Sequence, residues 1–212
     1  MRDRATGKEL KQIYKKFSST KPTNKAYIEC IHALVNLAEA KDPYTKKHSL
    51  KVSNYSVLLA KRMKLTKEEI DIIKLAALLH DVGKLGIKEK VLLKNGSLNR
   101  AEYEEVKKHS GIGAEIIKPF RFFNEVVVII KHHHEKYGGS GYPAGLKGKN
   151  IPLGSRILAI ADCYDALTSK RAYRDAYSPE QAINIMRKEN GSKFDPTLLE
   201  TFMNCMTSDK KG

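Results

Sequence analysis

A histidine and an aspartate stand side by side at positions 80 and 81, directly after the apolar run 75–79. The imidazole of His80 and the carboxylate of Asp81 are ligand types that divalent metal ions accept readily. Lys84, three residues further on, carries a charge that suits an anionic substrate. Because an aspartate at the end of an apolar helix is costly to bury without a partner, this pair predicts a metal ion at the edge of the core.

Further candidate ligands occur along the chain, on separate predicted helices or at their ends. Taken singly, each histidine is more often a hydrogen-bonded core or surface residue than a ligand. The clustering changes that expectation, since helical bundles build metal sites from side chains that several helices project inward. The complete candidate set is His48, His80, Asp81, His109, His133, His134 and Asp162.

This ligand set is too large for one metal ion and suits two. Nitrogen and carboxylate ligands without thiolate favour iron, manganese or zinc, and they argue against copper(I) or an iron–sulfur cluster. Two ions a few ångströms apart can share a water, lower its pKa and stabilise an in-line displacement at phosphorus. The ligands therefore predict phosphoester hydrolysis by attack of a metal-bridging hydroxide.

Helices have to position these ligands, and the sequence predicts helices along most of its length. Apolar residues at three- and four-residue spacing predict helices over 24–40 and 49–63. Capping signals at Thr66, Asn99 and Ser178 begin three more. The remaining helices are expected over 122–135, 153–169 and 195–206, and a loop rich in Gly and Pro over 138–152. No segment alternates polar and apolar residues long enough for a sheet, so we expect an all-α bundle.

Composition narrows the class of protein. The 212 residues fit one domain, with no apolar run of membrane-spanning length and no signal peptide. Three cysteines without CxxC spacing fit a reduced cytoplasm, where we expect the protein to reside. The net charge of +15 fits either a solvated lysine-rich surface or a field that attracts a phosphate-bearing ligand. No recognition module for nucleic acid is visible, so we expect no specific nucleic-acid binding.

An ordered series of motifs runs through most of the chain. They are DPYT at 42–45 followed by HS at 48–49, AALLHDVGKLG at 76–86, VKKH at 106–109, HHE at 133–135, GSGYP at 139–143, IADCYDALTS at 160–169, RAYR at 171–174 and FDP at 194–196. On these motifs the chain resembles the HD-GYP domains, the HD phosphohydrolases that cleave cyclic di-GMP. The resemblance implies a helical bundle of the HD-domain type over 42–206, after an N-terminal helical extension or connector over 1–41 and before a tail over 207–212.

The resemblance also implies a role for each candidate residue. The metal ligands divide into His48, His80 and Asp162 for one ion and His109, His133 and His134 for the other, with Asp81 bridging both. Lys84 would neutralise a phosphate oxygen, so Asp81 and Lys84 are the catalytic candidates. The ions would be iron or manganese, with zinc, nickel or magnesium as alternatives. The residues implied to bind substrate are Asp42, Gly141, Tyr142, Arg171 and Arg174.

Two positions depart from the family pattern. Tyr44 stands where some members carry a glutamate that holds a third metal ion, so we expect two ions. Gly138 stands where an aspartate usually precedes the loop, and its loss is expected to loosen the loop while the ligands stay whole. Lys107 and Lys108, next to the ligand His109, are interpreted as a solvated helix face.

The leading hypothesis is a metal-dependent phosphodiesterase that opens cyclic di-GMP to linear pGpG and onward to GMP. The alternatives are an HD hydrolase of another cyclic dinucleotide, such as cyclic GMP-AMP, and a catalytically weak cyclic-dinucleotide receptor. Nucleic-acid binding by charge alone ranks last, because no recognition element accompanies the charge. An upstream sensory domain and a second copy of the chain are the candidate protein partners.

Overall fold

The computed structural model describes residues 24–41, 48–94, 96–120, 123–170 and 175–208. These ranges contain two short 3₁₀ helices, Val82–Gly86 and Gly148–Asn150, and no β-strand. The α-helices are α1 Asn24–Lys41, α2 His48–Arg62, α3 Lys67–Leu79, α4 Glu89–Leu92, α5 Arg100–Ile117, α6 Asn124–His132, α7 Leu153–Thr168, α8 Pro179–Lys188 and α9 Pro196–Ser208. The all-α prediction is therefore confirmed, and 138–152 is a loop interrupted only by a 3₁₀ turn.

Three predicted helix starts are confirmed at the level of single hydrogen bonds. The Thr66 hydroxyl accepts the backbone N–H of Glu69, and the Glu69 carboxylate accepts the Thr66 N–H at 2.8 Å. Asn99 and Ser178 make the same reciprocal pair with the residue three positions later. Because these pairs satisfy otherwise orphaned N–H groups, they fix where α3, α5 and α8 begin.

A continuous core of buried apolar side chains lies between α2, α3, α6, α7, α8 and α9. The ring of Tyr164 makes edge-to-face contacts with Tyr55 at 5.0 Å and with Phe202 at 5.1 Å between centroids. These three rings tie α7 to α2 and α9, and such pairs contribute beyond their buried area. The packed helices form a rigid support for the polar residues at their ends.

A close backbone contact joins the 3₁₀ helix Val82–Gly86 to α5. A Cβ atom added at Gly83 would lie 1.8 Å from the carbonyl oxygen of His109 and 2.5 Å from the backbone nitrogen of Gly113. Only glycine therefore lets the segment after Asp81 lie directly on α5. This contact brings Asp81 beside His109.

The N-terminal helix α1 packs on the same 3₁₀ helix. Ala38 is buried, and Nζ of Lys41 donates to the carbonyl oxygens of Leu85 (2.5 Å) and Ile87 (2.7 Å). The division of the chain at 41/42 and at 206/207 stays a prediction. Across the described ranges, no helix combines the length and the apolar character that a membrane span needs.

Replacing Gly83 by alanine is expected to destabilise the protein, because the added methyl group has to push α5 away. Overpacking of this kind lowers the free energy of unfolding by about 1–3 kcal/mol or more. Thermal unfolding measures the effect, with Gly111→Ala on α5 as the control. No atom lies within 4 Å of a Cβ at Gly111, so that variant should keep or raise the Tm. Equal Tm values for the two variants would contradict the close contact.

Candidate active site

The first ligand group consists of His48, His80 and Asp162, whose ligand atoms lie within 4.8 Å of one another. His48 begins α2, His80 directly follows α3, and Asp162 lies on α7. Nδ1 of His48 donates to the Asp165 carboxylate (2.6 Å), and Nδ1 of His80 donates to the carbonyl oxygen of Ala77 (2.8 Å). These bonds orient both rings so that Nε2 faces the other ligands.

The second ligand group consists of His109 on α5 with His133 and His134, which directly follow α6. Nε2 of His109 lies 3.4 Å from Nε2 of His133 and 3.1 Å from Nε2 of His134. Nδ1 of His109 donates to the Val106 carbonyl (2.7 Å), and Nδ1 of His133 donates to that of Ile130 (2.5 Å). The three Nε2 atoms therefore converge on one point, as the ligands of a metal ion do.

The protonation states of the second group, and of Asp162 in the first, fit a divalent metal ion. Nε2 of His80 is buried and has no hydrogen-bond partner among the residues that the structure describes. Leaving it unpaired costs about 1–3 kcal/mol, which a bound cation would offset. Burial and the neighbouring imidazoles lower the pKa of His109 and His133, and that of His134 falls to about 3. Burial alone would raise the pKa of Asp162, but its hydrogen bond with His48 lowers it. Neutral imidazoles and an ionised carboxylate are the forms that bind metals.

Asp81 lies between the two groups and is only 6% exposed. Its Oδ2 atom lies 3.9 Å from Nε2 of His48 and 3.5 Å from Nε2 of His80, while Oδ1 lies 3.8 Å from Nε2 of His109. Nζ of Lys84 forms an ion pair with Oδ2 at 2.8 Å. Burial raises the pKa of Asp81, but the charge of Lys84 and the imidazoles hold it well below its usual range. One carboxylate oxygen thus faces each group, as a bridging ligand requires.

Asp165 supports the first group, although its position in the sequence predicted no role for it. Its buried carboxylate accepts from Nδ1 of His48 and from the Ser169 hydroxyl (3.1 Å), and it lies 3.6 Å from Nζ of Lys51. Burial lowers the pKa of His48, but the hydrogen bonds with Asp162 and Asp165 raise it to about 9. The spacing of three residues after Asp162 puts both carboxylates on one face of α7, which is the signal that could have identified Asp165.

Two of the five predicted substrate-binding residues lie beside the second group. The ring of Tyr142 tilts against that of His134 with centroids 5.0 Å apart. At Gly141 the loop turns back so closely that a Cβ would lie 2.2 Å from the backbone nitrogen of Lys136. The described ranges do not include Asp42, Tyr44, Arg171 and Arg174.

Glu135 holds this loop in place and was also missed. Its carboxylate is 3% exposed and accepts the backbone N–H groups of Ala144 (2.7 Å) and Leu146 (3.1 Å). Nδ1 of His132, the one histidine of the triplet not counted as a ligand, lies 3.4 Å from the same carboxylate. The signal in the sequence was an acidic residue directly after two candidate ligands.

Two backbone hydrogen bonds hold the loop at Gly138 and its neighbour, and the expected effect of the missing aspartate stays a prediction. Its backbone N–H donates to the carbonyl oxygen of Ser192 at 2.7 Å, and the preceding Tyr137 donates to that of Lys193 at 3.1 Å. A Cβ at Gly138 would lie 2.9 Å from the same Ser192 oxygen. An aspartate at this position would therefore disturb the contact between the loop and the segment after α8.

We expect Glu135→Gln to loosen the loop over 139–147. The amide keeps one acceptor oxygen but turns a donor toward a backbone N–H, and a lost buried hydrogen bond is worth about 1–3 kcal/mol. Amide hydrogen exchange at Ala144 and Leu146 should accelerate by about tenfold. Glu115→Gln, on the exposed face of α5, is the control and should leave the loop unchanged. Unaltered exchange in the Glu135 variant would show that the loop does not depend on this carboxylate.

Comparison with known proteins identifies the family to which the chain belongs. The HD-domain family matches residues 32–198. A probable cyclic di-GMP phosphodiesterase of Vibrio cholerae is 38% identical over 189 residues, which cover 82% of this chain and 43% of that protein. A 3′3′-cGAMP-specific phosphodiesterase 3 of the same species is 38% identical over 176 residues, covering 82% and 38%. The chain therefore spans less than half the length of both relatives.

Among solved structures, Bd1817, an HDG"Y"P protein from Bdellovibrio bacteriovorus, superposes with a TM-score of 0.65. The match covers 87% of this chain and 65% of that one at 21% identity, so it shows a shared fold. The motifs, the fold and the match across most of the sequence lead to one assignment. The chain belongs to the HD-domain family, and within that family it is an HD-GYP domain.

Proposed function

We propose that this domain is a metal-dependent phosphodiesterase that hydrolyses cyclic di-GMP to linear pGpG and onward to GMP. The observation that carries the proposal is the pair of adjacent ligand groups with the Asp81 carboxylate between them. The relative from Vibrio cholerae that is named a probable cyclic di-GMP phosphodiesterase supports the choice of substrate. Two groups of nitrogen and carboxylate ligands suit two divalent ions, iron or manganese first and zinc, nickel or magnesium as alternatives.

The ligands are assigned by their positions in the two groups. The proposed ligands are His48, His80 and Asp162 for one ion, His109, His133 and His134 for the other, and Asp81 for both. Divalent ions bound there would supply an activated water and offset the charge that develops on phosphorus. Lys84, whose Nζ contacts Asp81, is proposed to donate to a phosphate oxygen.

The residues proposed to bind the substrate lie in the loop over 138–152 and outside the described ranges. The ring of Tyr142 contacts that of His134, and the backbone at Gly141 lies close to Lys136; both residues are proposed to contact the substrate. Asp42, Arg171 and Arg174 are proposed to bind the substrate from the sequence motifs alone, with the arginines on the phosphates. A cytoplasmic location, a sensory domain in the whole protein and a homodimer likewise stay predictions.

A second candidate substrate is cyclic GMP-AMP. The observation that favours it is the relative named a 3′3′-cGAMP-specific phosphodiesterase 3, whose identity to this chain is also 38%. The catalytically weak receptor is less favoured, because all seven candidate ligands are present and lie together. A receptor without turnover would not need two metal-binding groups.

Turnover tests the main proposal. Protein loaded with Fe(II) or Mn(II) without oxygen is incubated with cyclic di-GMP, and the products are separated by chromatography; we expect pGpG. Lys84→Ala should keep its metal content and lose turnover by about 10²-fold, as for other charge-stabilising donors. Lys88→Ala, an exposed control four residues later, should behave like the wild type. Intact substrate with both metals, together with tight binding by calorimetry, would favour the receptor instead.

Metal content tests the assignment of Asp81 independently of activity. Because one carboxylate serves both groups, Asp81→Asn should reduce the metal content in both, to below one ion per chain. Asp162→Asn removes a ligand of the first group alone and should leave the second group occupied. Elemental analysis of the purified variants measures both results. Wild-type metal content in the Asp81 variant would rule out the bridging role.

A further inference from the structure

Lys107 occupies a different environment from the lysine beside it. Lys107 and Lys108 each pair with a glutamate three residues earlier at 2.7 Å. The side chain of Lys108 is 63% exposed, whereas that of Lys107 is only 25% exposed. The interpretation of a solvated helix face therefore fits Lys108 and not Lys107.

Two tyrosine rings account for this difference. Nζ of Lys107 lies 5.5 Å from the ring centroid of Tyr103, one turn earlier on α5, and 5.4 Å from that of Tyr142 in the loop. Both distances fall within the range of cation–π contacts. The ammonium thus lies between an aromatic residue of α5 and one of the loop.

This cluster borders the second ligand group. The ring of Tyr142 contacts that of His134, and Lys107 lies two residues before His109. Tyr103 is 49% exposed, which leaves a large part of its side chain available to a ligand. Metal binding by the histidines requires neither Tyr103 nor Lys107.

We propose that Tyr103 and Lys107 bind a guanine base of the substrate and favour guanine over adenine. Aromatic side chains stack on nucleobases with little sequence preference, which is the part assigned to Tyr103. Lysine donates to O6 and N7 of guanine, while adenine presents an amino group in place of O6. Lys107 is therefore the selective residue of the pair. This inference rests on the proposed hydrolysis of a cyclic dinucleotide and specifies its base preference.

Steady-state kinetics of Lys107→Met test the proposal, with Lys108→Met as the matched control. The substrates are cyclic di-GMP, 3′3′-cyclic GMP-AMP, cyclic di-AMP and bis(p-nitrophenyl) phosphate, a diester without a base. We expect the KM for cyclic di-GMP to rise about tenfold with little change in kcat. Cyclic di-AMP and the small diester should be unaffected, and Lys108→Met should match the wild type on every substrate.

Tyr103 provides a second, independent test. Tyr103→Ala should raise the KM for all cyclic dinucleotides. Tyr103→Phe keeps the aromatic ring and should therefore have the KM of the wild type. An equal loss of kcat/KM for cyclic di-GMP and for the small diester would show a structural defect and overturn the proposal. An unchanged preference for guanine in Lys107→Met would also overturn it.

A failure of the proposed hydrolysis can be distinguished from a failure of the proposed base contact. If the wild type leaves every dinucleotide intact, calorimetry of cyclic di-GMP binding replaces the kinetic measurement. Binding that weakens about tenfold in Lys107→Met but not in Lys108→Met would support the base contact in a receptor without turnover. Equal affinity of the two variants, or no binding by the wild type, would overturn it.

Discussion

A carboxylate buried as deeply as Asp81 has to be compensated by cations or hydrogen-bond donors close by. Lys84 provides one charge at 2.8 Å, and imidazole nitrogens of His48, His80 and His109 lie within 3.9 Å. These imidazoles come from α2, from the end of α3 and from α5, so the surroundings of Asp81 exist only when all three helices are docked. The docking of these helices therefore compensates the charge of Asp81 and aligns the two ligand groups at the same time.

The segments around the site are docked by one close glycine contact and by side chains that bond to backbone groups. Gly83 lets the 3₁₀ helix touch the α5 backbone, and Lys41 fastens α1 to the carbonyl oxygens at its end. Glu135 does the same for the loop by accepting two of its backbone N–H groups. Each of these contacts supports a segment that carries a ligand or lies next to one. Sites positioned in this way hold their geometry better than sites built on free loops.

The sequence predicted the features that local signals determine. Apolar spacing and the caps at Thr66, Asn99 and Ser178 predicted the helices, and the clustered histidines and aspartates predicted the candidate metal ligands that the structure brings together. The 3₁₀ helix 82–86 and the short α4 were not predicted, because contacts with α5 and α1 decide their form. Supporting residues were missed for a similar reason: the three-residue spacing places Asp165 on the same face of α7 as Asp162, but it does not show that Asp165 contacts His48 across 117 positions of sequence.

The charges of the site explain how a strongly basic chain can hold a cation-binding centre. Ionised Asp81 together with the neutral imidazoles of the second group favours cations, although the net charge of the chain is +15. Two basic groups lie beside this centre: Nζ of Lys84 contacts Asp81, and Nζ of Lys107 lies over the ring of Tyr142. Lys84 links this centre to the proposed phosphate contact, because the ammonium proposed to donate to phosphate is the one that compensates Asp81.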